Sequence, residues 1–286
     1  MRLIIKLSFA GLMILIWVGS TYAVEIKLPI TSEYTERDAY QIDLLKFVLE
    51  RTGVEYKLTT SPVMRTQSRI IVDLMNDSDL INLYWMGTSA KLEEDLLPIR
   101  FPVYRGLLGY RVFIIHKNKR AKFDNVKALS DIQKYIGAQE QGWTDIEILE
   151  NSGLKTYVTA YENIFRMLNA DRLDYFSRGV GEAFVEVDVR KEGLQNLEVE
   201  EKILLVYPFA MFFFVNHSNR ELAKILENGF RKSYDDGTFN KFFYNHPYIK
   251  KIFKQANIDN RIRIDIPNPF VTKKTIDIPD KYWHGR

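Results

Sequence analysis

The chain has 286 residues, of which 46% are hydrophobic and 13% aromatic, with 40 Lys and Arg against 37 Asp and Glu. This composition is typical of a globular protein and too apolar for a disordered one, and the near balance of charge gives no indication of a nucleic-acid-binding surface. The absence of cysteine from the sequence excludes disulfides, thiolate metal sites, a cysteine nucleophile and a lipidated cysteine.

The first 23 residues have the pattern of a secretory signal peptide. Arg2 and Lys6 precede an apolar centre from Leu12 to Val18, which is followed by small and polar residues up to Thr21-Tyr22-Ala23. We expect cleavage after Ala23, which leaves 38 basic and 37 acidic residues. The alternative is an uncleaved membrane anchor, because the 18 uncharged residues 7–24 are at the lower limit of a spanning length. Export without cysteine fits a bacterial periplasm.

Strands and helices alternate along the mature chain. The hydrophobic spacing predicts strands at 24–30, 54–60 and 79–87 and helices at 41–51 and 67–75. Two strand–helix–strand units in series predict a parallel sheet. Pro98 and Pro102 then exclude a helix, and 111–116 is expected to be extended.

A second alternating set follows. It predicts helices at 129–134, 143–151, 161–169 and from 180, and strands at 135–142, 154–160 and 173–179. The apolar stretch 203–219 is expected to be a strand that leads into two helices within 221–245. The last 28 residues contain three prolines and lack helical periodicity, so we expect them to wrap the surface. Two units without a flexible linker predict an α/β protein whose two lobes are joined by crossing strands.

Few sequence patterns of known chemistry are present. The four histidines have no metal-ligand spacing, and the sequence contains neither a Gly-rich phosphate loop nor a nucleophile elbow. We therefore expect no metal and no cofactor.

Aromatic and polar residues follow three of the predicted strands. They are Trp85-Met86-Gly87-Thr88, Gln141-Gly142-Trp143-Thr144 and Ser177-Arg178-Gly179. Ligands bind outside the carboxyl ends of parallel strands, so these segments predict a binding site. The alternative is that both tryptophans belong to the core and Arg178 is a structural ion-pair residue.

The sequence resembles the periplasmic solute-binding proteins of the amino-acid ABC transporter class, family 3-like, and looks closest to an uncharacterised proteobacterial branch. The resemblance covers essentially the whole mature chain. It rests on MGTSAKLEEDLLPIRFPVYRG, YIGAQEQGWTDIEIL, YENIFRMLNADRLDYFSRG and FFFVNHSNRELAKILENGFRKSYDDGTFNKFF.

The resemblance implies a two-lobed type II periplasmic-binding-protein fold, a Venus flytrap in which each lobe is a mainly parallel sheet flanked by helices. The expected organisation is a signal peptide at 1–23, the first lobe at 24–106, the second lobe at 107–208, a return to the first lobe at 209–258 and a wrapping tail at 259–286. Crossing strands near 104–106 and 206–209 are expected to form the hinge.

Two departures from the family pattern concern the ligand clamp. Glu93 stands where such proteins usually carry an arginine for the ligand carboxylate, and Arg178 stands where they usually carry an aspartate for the ligand ammonium. Either the registers slip, so that Arg69 or Arg100 serves the carboxylate, or the ligand carries an anionic group that pairs with Arg178. Glu182, one helical turn after Arg178, is the alternative partner of that arginine.

We therefore predict a periplasmic solute-binding protein without catalysis, monomeric, that captures a small polar ligand, anionic or amino-acid-like. It is expected to present this ligand to an ABC permease or a membrane sensor. The predicted ligand-binding residues are Arg69, Trp85, Thr88, Gln141, Trp143, Thr144, Arg178 and Glu182. The rival prediction is a periplasmic dehydratase on the same fold, with Glu93 or Glu182 as its general acid.

Overall fold

A computed structural model describes residues 23–30 and 36–285 of the chain. The predicted signal peptide lies outside the described residues except for Ala23, so its cleavage stays a prediction. Within the described part, none of the helices combines the length and the apolar character needed to cross a bilayer.

The elements follow one another in three groups. The first contains β1 (Val24–Ile30), α1 (Glu36–Glu50), β2 (Tyr56–Met64), α2 (Gln67–Met75), β3 (Tyr84–Gly87), α3 (Ala90–Asp95) and β4 (Leu97–Ile99). The second contains β5 (Tyr110–His116), α4 (Arg120–Phe123), α5 (Leu129–Ile132), β6 (Ile136–Glu140), α6 (Asp145–Asn151), β7 (Lys155–Thr159), α7 (Tyr161–Asn169), β8 (Tyr175–Gly179), α8 (Ala183–Asp188), β9 (Leu197–Val199) and β10 (Ile203–Val206). The third contains β11 (Met211–Val215), α9 (Arg220–Asp235), α10 (Thr238–Asn245), α11 (Pro247–Ala256), β12 (Ile262–Asp265) and α12 (Lys273–Ile276).

The first lobe is built on strands β1 to β4 and β11. β1 and β2 pair in parallel, and β11 lies between β3 and β4 and is antiparallel to both. Asn82 links the β1–β2 pair to the segment that leads into β3. Its backbone N–H donates to the Lys27 carbonyl at 3.0 Å, and its Oδ1 accepts from the Lys27 N–H at 2.8 Å. Of the predicted strand 79–87, only Tyr84–Gly87 is a regular strand.

The second lobe is built on one sheet in the order β12-β10-β5-β8-β6-β7, with β9 also pairing with β5. The parallel pairs are β6 with β7, β6 with β8 and β10 with β12. β5 is antiparallel to the three strands that pair with it, β8, β9 and β10. The carboxyl ends of β6 and β8 therefore lie at the same edge of this sheet.

The chain passes from one sheet to another in two segments, 100–109 between β4 and β5 and 207–210 between β10 and β11. The apolar stretch predicted as one strand over 203–219 is interrupted at Pro208, and its two halves, β10 and β11, belong to different sheets. At the other crossing Arg105 and Gly106 both have left-handed backbone conformations, with φ of 53° and 85°. The predicted lobe boundaries themselves stay predictions.

The last 28 residues contain regular structure that the sequence analysis did not predict. β12 extends the sheet of the second lobe, and its register places Ile264 opposite Leu205. The strand is only four residues long, and along it Ile264 alone is buried, so its hydrophobic pattern is too short to indicate a strand.

Candidate functional site

A cavity of about 320 Å³ lies between the two lobes. The first lobe lines it with Gln41, Arg65, Thr66, Gln67, Tyr84, Trp85, Met86, Gly87 and Met211. The second lobe and the crossing segments line it with Leu108, Arg111, Glu140, Trp143, Thr144, Asp145, Tyr161, Arg178, Glu182 and Phe209. A volume of this size, with aromatic walls and a few charged groups, is suited to one small molecule.

Each lobe contributes one tryptophan to the cavity wall. Trp85, in β3, is 7% exposed and stacks on Tyr84 with ring centroids 5.4 Å apart. Trp143 follows β6 and is partly buried, with its ring 5.9 Å from that of Phe176. Because packing fixes both rings, they form walls that need little reorganisation when a ligand binds.

Arg178 lies at the end of β8 and is 3% exposed. Its Nε and Nη2 donate to the two carboxylate oxygens of Glu186 at 2.8 and 2.6 Å, and Nη2 lies 2.9 Å from Oε1 of Glu182. Burial opposes its charge, but Glu182 and Glu186 hold the pKa of Arg178 above its ordinary value. The guanidinium carbon also lies 4.3 Å from the centre of the Trp143 ring, a cation–π contact that supports this wall.

Arg111 forms a second buried ion pair at the base of the cavity. It is 1% exposed, and its Nη2 lies 2.6 Å from Oδ2 of Asp145. Tyr207 donates its hydroxyl to the same carboxylate oxygen at 3.1 Å. Burial raises the pKa of Tyr207 well above its ordinary value, so the hydroxyl stays protonated and remains a donor.

Arg65 is the third arginine of the cavity wall. Its Nε donates to Oδ2 of Asp73 at 2.5 Å, and its Nη1 donates to the Ser61 hydroxyl at 3.1 Å. It lies just before α2, whose first turn also faces the cavity through Gln67. This side of the cavity therefore combines a guanidinium with the positive end of a helix dipole.

Glu140 differs from the other charged residues of the wall. It ends β6, and no lysine, arginine or histidine of the described part of the chain forms an ion pair with it. Burial raises the pKa of Glu140, while the Arg178 guanidinium and a hydrogen bond with Trp143 counteract part of that increase. A half-buried carboxylate of this kind can accept a cationic group of a ligand.

Among the residues that the structure describes, no group of histidine, aspartate and glutamate side chains has the arrangement of a metal site.

Comparisons with known proteins reveal likeness at the level of structure. No family model matches the chain, and no curated protein matches it by sequence. Among solved structures, an ancestral arginine-binding protein bound to arginine superposes with a TM-score of 0.54 at 14% identity, over 81% of this chain and 97% of that one. An arginine-specific periplasmic binding protein of Salmonella typhimurium gives 0.53 at 14% identity, over 82% and 99%.

A third neighbour is an ancestral amino-acid-binding protein described as a precursor of cyclohexadienyl dehydratase, with a TM-score of 0.52 at 13% identity, over 81% of this chain and 94% of that one. These superpositions decide the fold. The chain has the type II periplasmic-binding-protein fold. The two-lobed α/β architecture predicted from the sequence is thereby confirmed.

Five of the eight predicted ligand-binding residues lie where the cavity of a type II binding protein opens between its lobes. They are Trp85, Trp143, Thr144, Arg178 and Glu182. The other three, Arg69, Thr88 and Gln141, do not line this cavity, and their contact with a ligand stays a prediction. The Arg69 side chain is 64% exposed and pairs with Asp73, and Gln141 is exposed. Thr88 is buried and donates its hydroxyl to Glu93 at 2.8 Å.

Arg178 has its counter-charge within the protein. A buried guanidinium needs one, and the sequence analysis offers either an anionic group of the ligand or Glu182 as its source. In the structure Glu186 and Glu182 both supply that counter-charge. Arg100, the other candidate, pairs with Glu93 at 2.9 Å and does not line the cavity.

Sequence reasoning missed several residues of the wall. Arg111 is the second residue of β5 and so lies near the start of its strand, whereas the sequence analysis considered the carboxyl ends of strands. Glu140 ends a strand that the sequence did predict, so the same rule offered a signal for it.

Proposed function

We propose that the protein is a periplasmic solute-binding protein that captures one small, amino-acid-like ligand in the cavity between its lobes. The observation that carries the proposal is the construction of the cavity wall. Each lobe supplies a fixed tryptophan, and charged groups of both signs line the space between them. A ligand that contacts both walls stabilises the closed arrangement, as expected for a protein that closes on its ligand.

The balance of charge in the cavity favours a zwitterion over a purely anionic ligand. All three arginines of the wall are ion-paired, Arg65 with Asp73, Arg111 with Asp145 and Arg178 with Glu186. Glu140 is the lining carboxylate without such a partner among the described residues. A ligand that brings an ammonium group supplies the missing charge, whereas a purely anionic ligand adds to the negative excess.

The proposed orientation follows from these positions. The ligand ammonium faces Glu140, and the ligand carboxylate faces Arg65 and the start of α2, where a helix dipole favours negative charge. The side chain of the ligand lies between Trp85 and Trp143. Structural neighbours support the chemical class, because they include binding proteins with arginine or with glutamine bound.

Export and partners belong to the same proposal. The signal-peptide pattern of residues 1–23 and the fold support a periplasmic location after cleavage. An ABC permease is the proposed partner, with a membrane sensor as the alternative, and the protein is proposed to act as a monomer.

A second candidate, a dehydratase-type enzyme, is favoured by one observation. Glu140 has a raised pKa in a half-buried site, which is the property a general acid needs. One structural neighbour is described as the precursor of such an enzyme. We place binding first because no histidine or lysine lines the cavity to complete an acid–base pair with Glu140 within the described residues.

The test begins with native mass spectrometry of protein extracted from the periplasm, to identify any ligand that co-purifies. A thermal-shift screen with amino acids, dicarboxylates and diamines then ranks the classes, followed by calorimetry on the best hit. We expect an amino acid to rank first and to be recovered unchanged after incubation. Preference for dicarboxylates would contradict the proposed orientation, and conversion of the compound would establish the enzyme.

A further inference from the structure

The C-terminal segment follows an unusual path across the molecule. We call residues 262–285 the C-terminal strap. It begins as β12 in the sheet of the second lobe. It then passes the crossing segment, where Asn268 Nδ2 donates to the Pro208 carbonyl at 2.7 Å. It continues onto the first lobe as α12.

Glu93 anchors the strap on the first lobe. The hydroxyl of Thr272 donates to its Oε2 at 2.8 Å, and the hydroxyl of Thr275 donates to its Oε1 at 2.7 Å. The Glu93 side chain is 3% exposed and also accepts from Thr88 and Arg100. Burial acts to raise its pKa, but these four donors hold the pKa of Glu93 below its ordinary value. The carboxylate is therefore ionised and fully engaged.

The end of the strap is fixed to the crossing itself. The Trp283 ring packs on Gly106 so closely that a Cβ added there would lie 2.5 Å from it. Arg105 donates through Nη2 to the carbonyls of Lys281 and Trp283 at 3.0 and 2.9 Å, and its own carbonyl accepts from the His284 N–H at 2.7 Å. The strap thus holds the two left-handed residues of the crossing, Arg105 and Gly106, in place.

We propose that the C-terminal strap is an additional connection between the lobes, anchored by Glu93, that limits how far the ligand cavity opens. This inference rests on the proposed function, because it assumes that the two lobes move relative to each other when the cavity opens. It also assigns a role to Glu93, which resides outside the cavity wall. Glu93 is a positioning residue, because it acts on the lobes through the strap and has no contact with the cavity.

The anchor is adjacent to the ligand site. Thr88, which donates to Glu93, directly follows Gly87 of the cavity wall. Gly87 packs against Phe209, another wall residue, with space for no Cβ, since one would lie 2.2 Å from the Phe209 ring. Release of the strap is therefore expected to loosen the wall of the first lobe as well as the crossing.

The experiment uses the complete mature chain without ligand. Because the chain has no cysteine, Lys224→Cys on α9 and Glu147→Cys on α6, both exposed, give one spin label on each lobe. The Thr272→Val/Thr275→Val variant removes both hydroxyls that reach Glu93 and keeps the β-branched shape. The matched control is Thr156→Val/Thr159→Val in β7, where the same changes are made far from the strap.

Two readouts are compared. The variant loses the two hydrogen bonds to Glu93 and also the cap of α12, in which the Thr272 hydroxyl accepts from the Thr275 N–H at 3.2 Å. At roughly tenfold for each bond to the charged acceptor, we expect at least about 100-fold faster amide exchange at residues 276–278. The interlobe distance distribution is expected to broaden toward longer distances in the strap variant and to stay unchanged in the control. Asn268→Ala, which removes the contact with Pro208 at a partly exposed position, provides a second variant with the same expectation.

Faster exchange with an unchanged distance distribution would overturn the proposal, because the strap would then be free without any effect on opening. Unchanged exchange in the Thr272→Val/Thr275→Val variant would overturn the assignment of Glu93 as the anchor. Neither readout involves a ligand. Failure to find an amino-acid ligand would therefore contradict the proposed function without bearing on the proposal for the C-terminal strap.

Discussion

Replacing Arg178 by Met tests whether this residue is a structural ion-pair residue at the cavity. The change leaves Glu182 and Glu186 buried without the guanidinium that lies 2.9 and 2.6 Å from their oxygens. Breaking a buried pair by removing one partner typically costs about 3–5 kcal/mol, because an uncompensated charge stays in the interior. Methionine retains much of the side-chain volume, so the charge accounts for most of the loss.

Urea unfolding at pH 7 measures the effect. We expect Arg178→Met to lower the free energy of unfolding by about 3–5 kcal/mol, and Arg178→Met/Glu186→Gln to recover a large part of that loss. The matched control is Arg120→Met. Arg120 makes an equally close bidentate contact with Glu198, at 2.8 and 2.6 Å, but its side chain is 57% exposed. We expect the control to lose less than about 1 kcal/mol.

The reasoning is refuted if Arg178→Met loses no more than Arg120→Met at an unchanged m-value. Recovery in the double variant separates the charge from packing, since Glu186→Gln restores no volume. If Arg178→Met is already unfolded at room temperature, a folded double variant shows that the unpaired charge, and not lost packing, caused the unfolding.

Three further predictions concern other parts of the molecule. Burial raises the pKa of Glu140 above the unfolded value of about 4.3, so the folded protein binds more protons and its free energy of unfolding falls as pH rises between the two values. We expect Glu140→Gln to remove this fall and to raise the Tm at pH 7. A variant whose stability depends on pH as the wild type does would contradict the assignment. Gly106→Ala should lower the free energy of unfolding by more than about 1 kcal/mol, because φ is 85° and Trp283 leaves no space for a Cβ. The loss should exceed that of Gly237→Ala, where φ is 73° but no atom lies within 4 Å of an added Cβ. Equal losses in thermal unfolding would argue against the contact with Trp283. N-terminal sequencing of protein from a periplasmic extract should begin at Val24, and recovery only in membranes with Met1 intact would support the anchor.

Much of the fold could be predicted because periodicity and strand ends are local signals. The alternation of strands and helices, the break in helical pattern at Pro98 and Pro102 and the positions of Trp85 and Trp143 all follow from neighbouring residues. The chain's passage from β10 to β11 could not be read this way, since one apolar stretch supplies strands to two sheets.

The charged part of the site was harder to predict because its contacts join distant residues. Asp145 reaches Arg111 across 34 positions of the chain, and even Glu186, eight positions after Arg178, lies beyond the one-turn spacing that indicated Glu182. The family pattern relates Glu93 to the ligand clamp, whereas its partners Thr272 and Thr275 come from the far end of the sequence. A spacing pattern within one segment contains no information about such partners.

Small-angle scattering tests the central claim most directly, which is that the two lobes close on a small ligand. The measurement compares protein refolded from denaturant, and so free of any co-purified compound, with the same sample at saturation with the best hit of the ligand screen. The account predicts a smaller radius of gyration with ligand, because contacts with Trp85 and Trp143 bring the lobes together. Identical scattering at a saturation proved by calorimetry would contradict it.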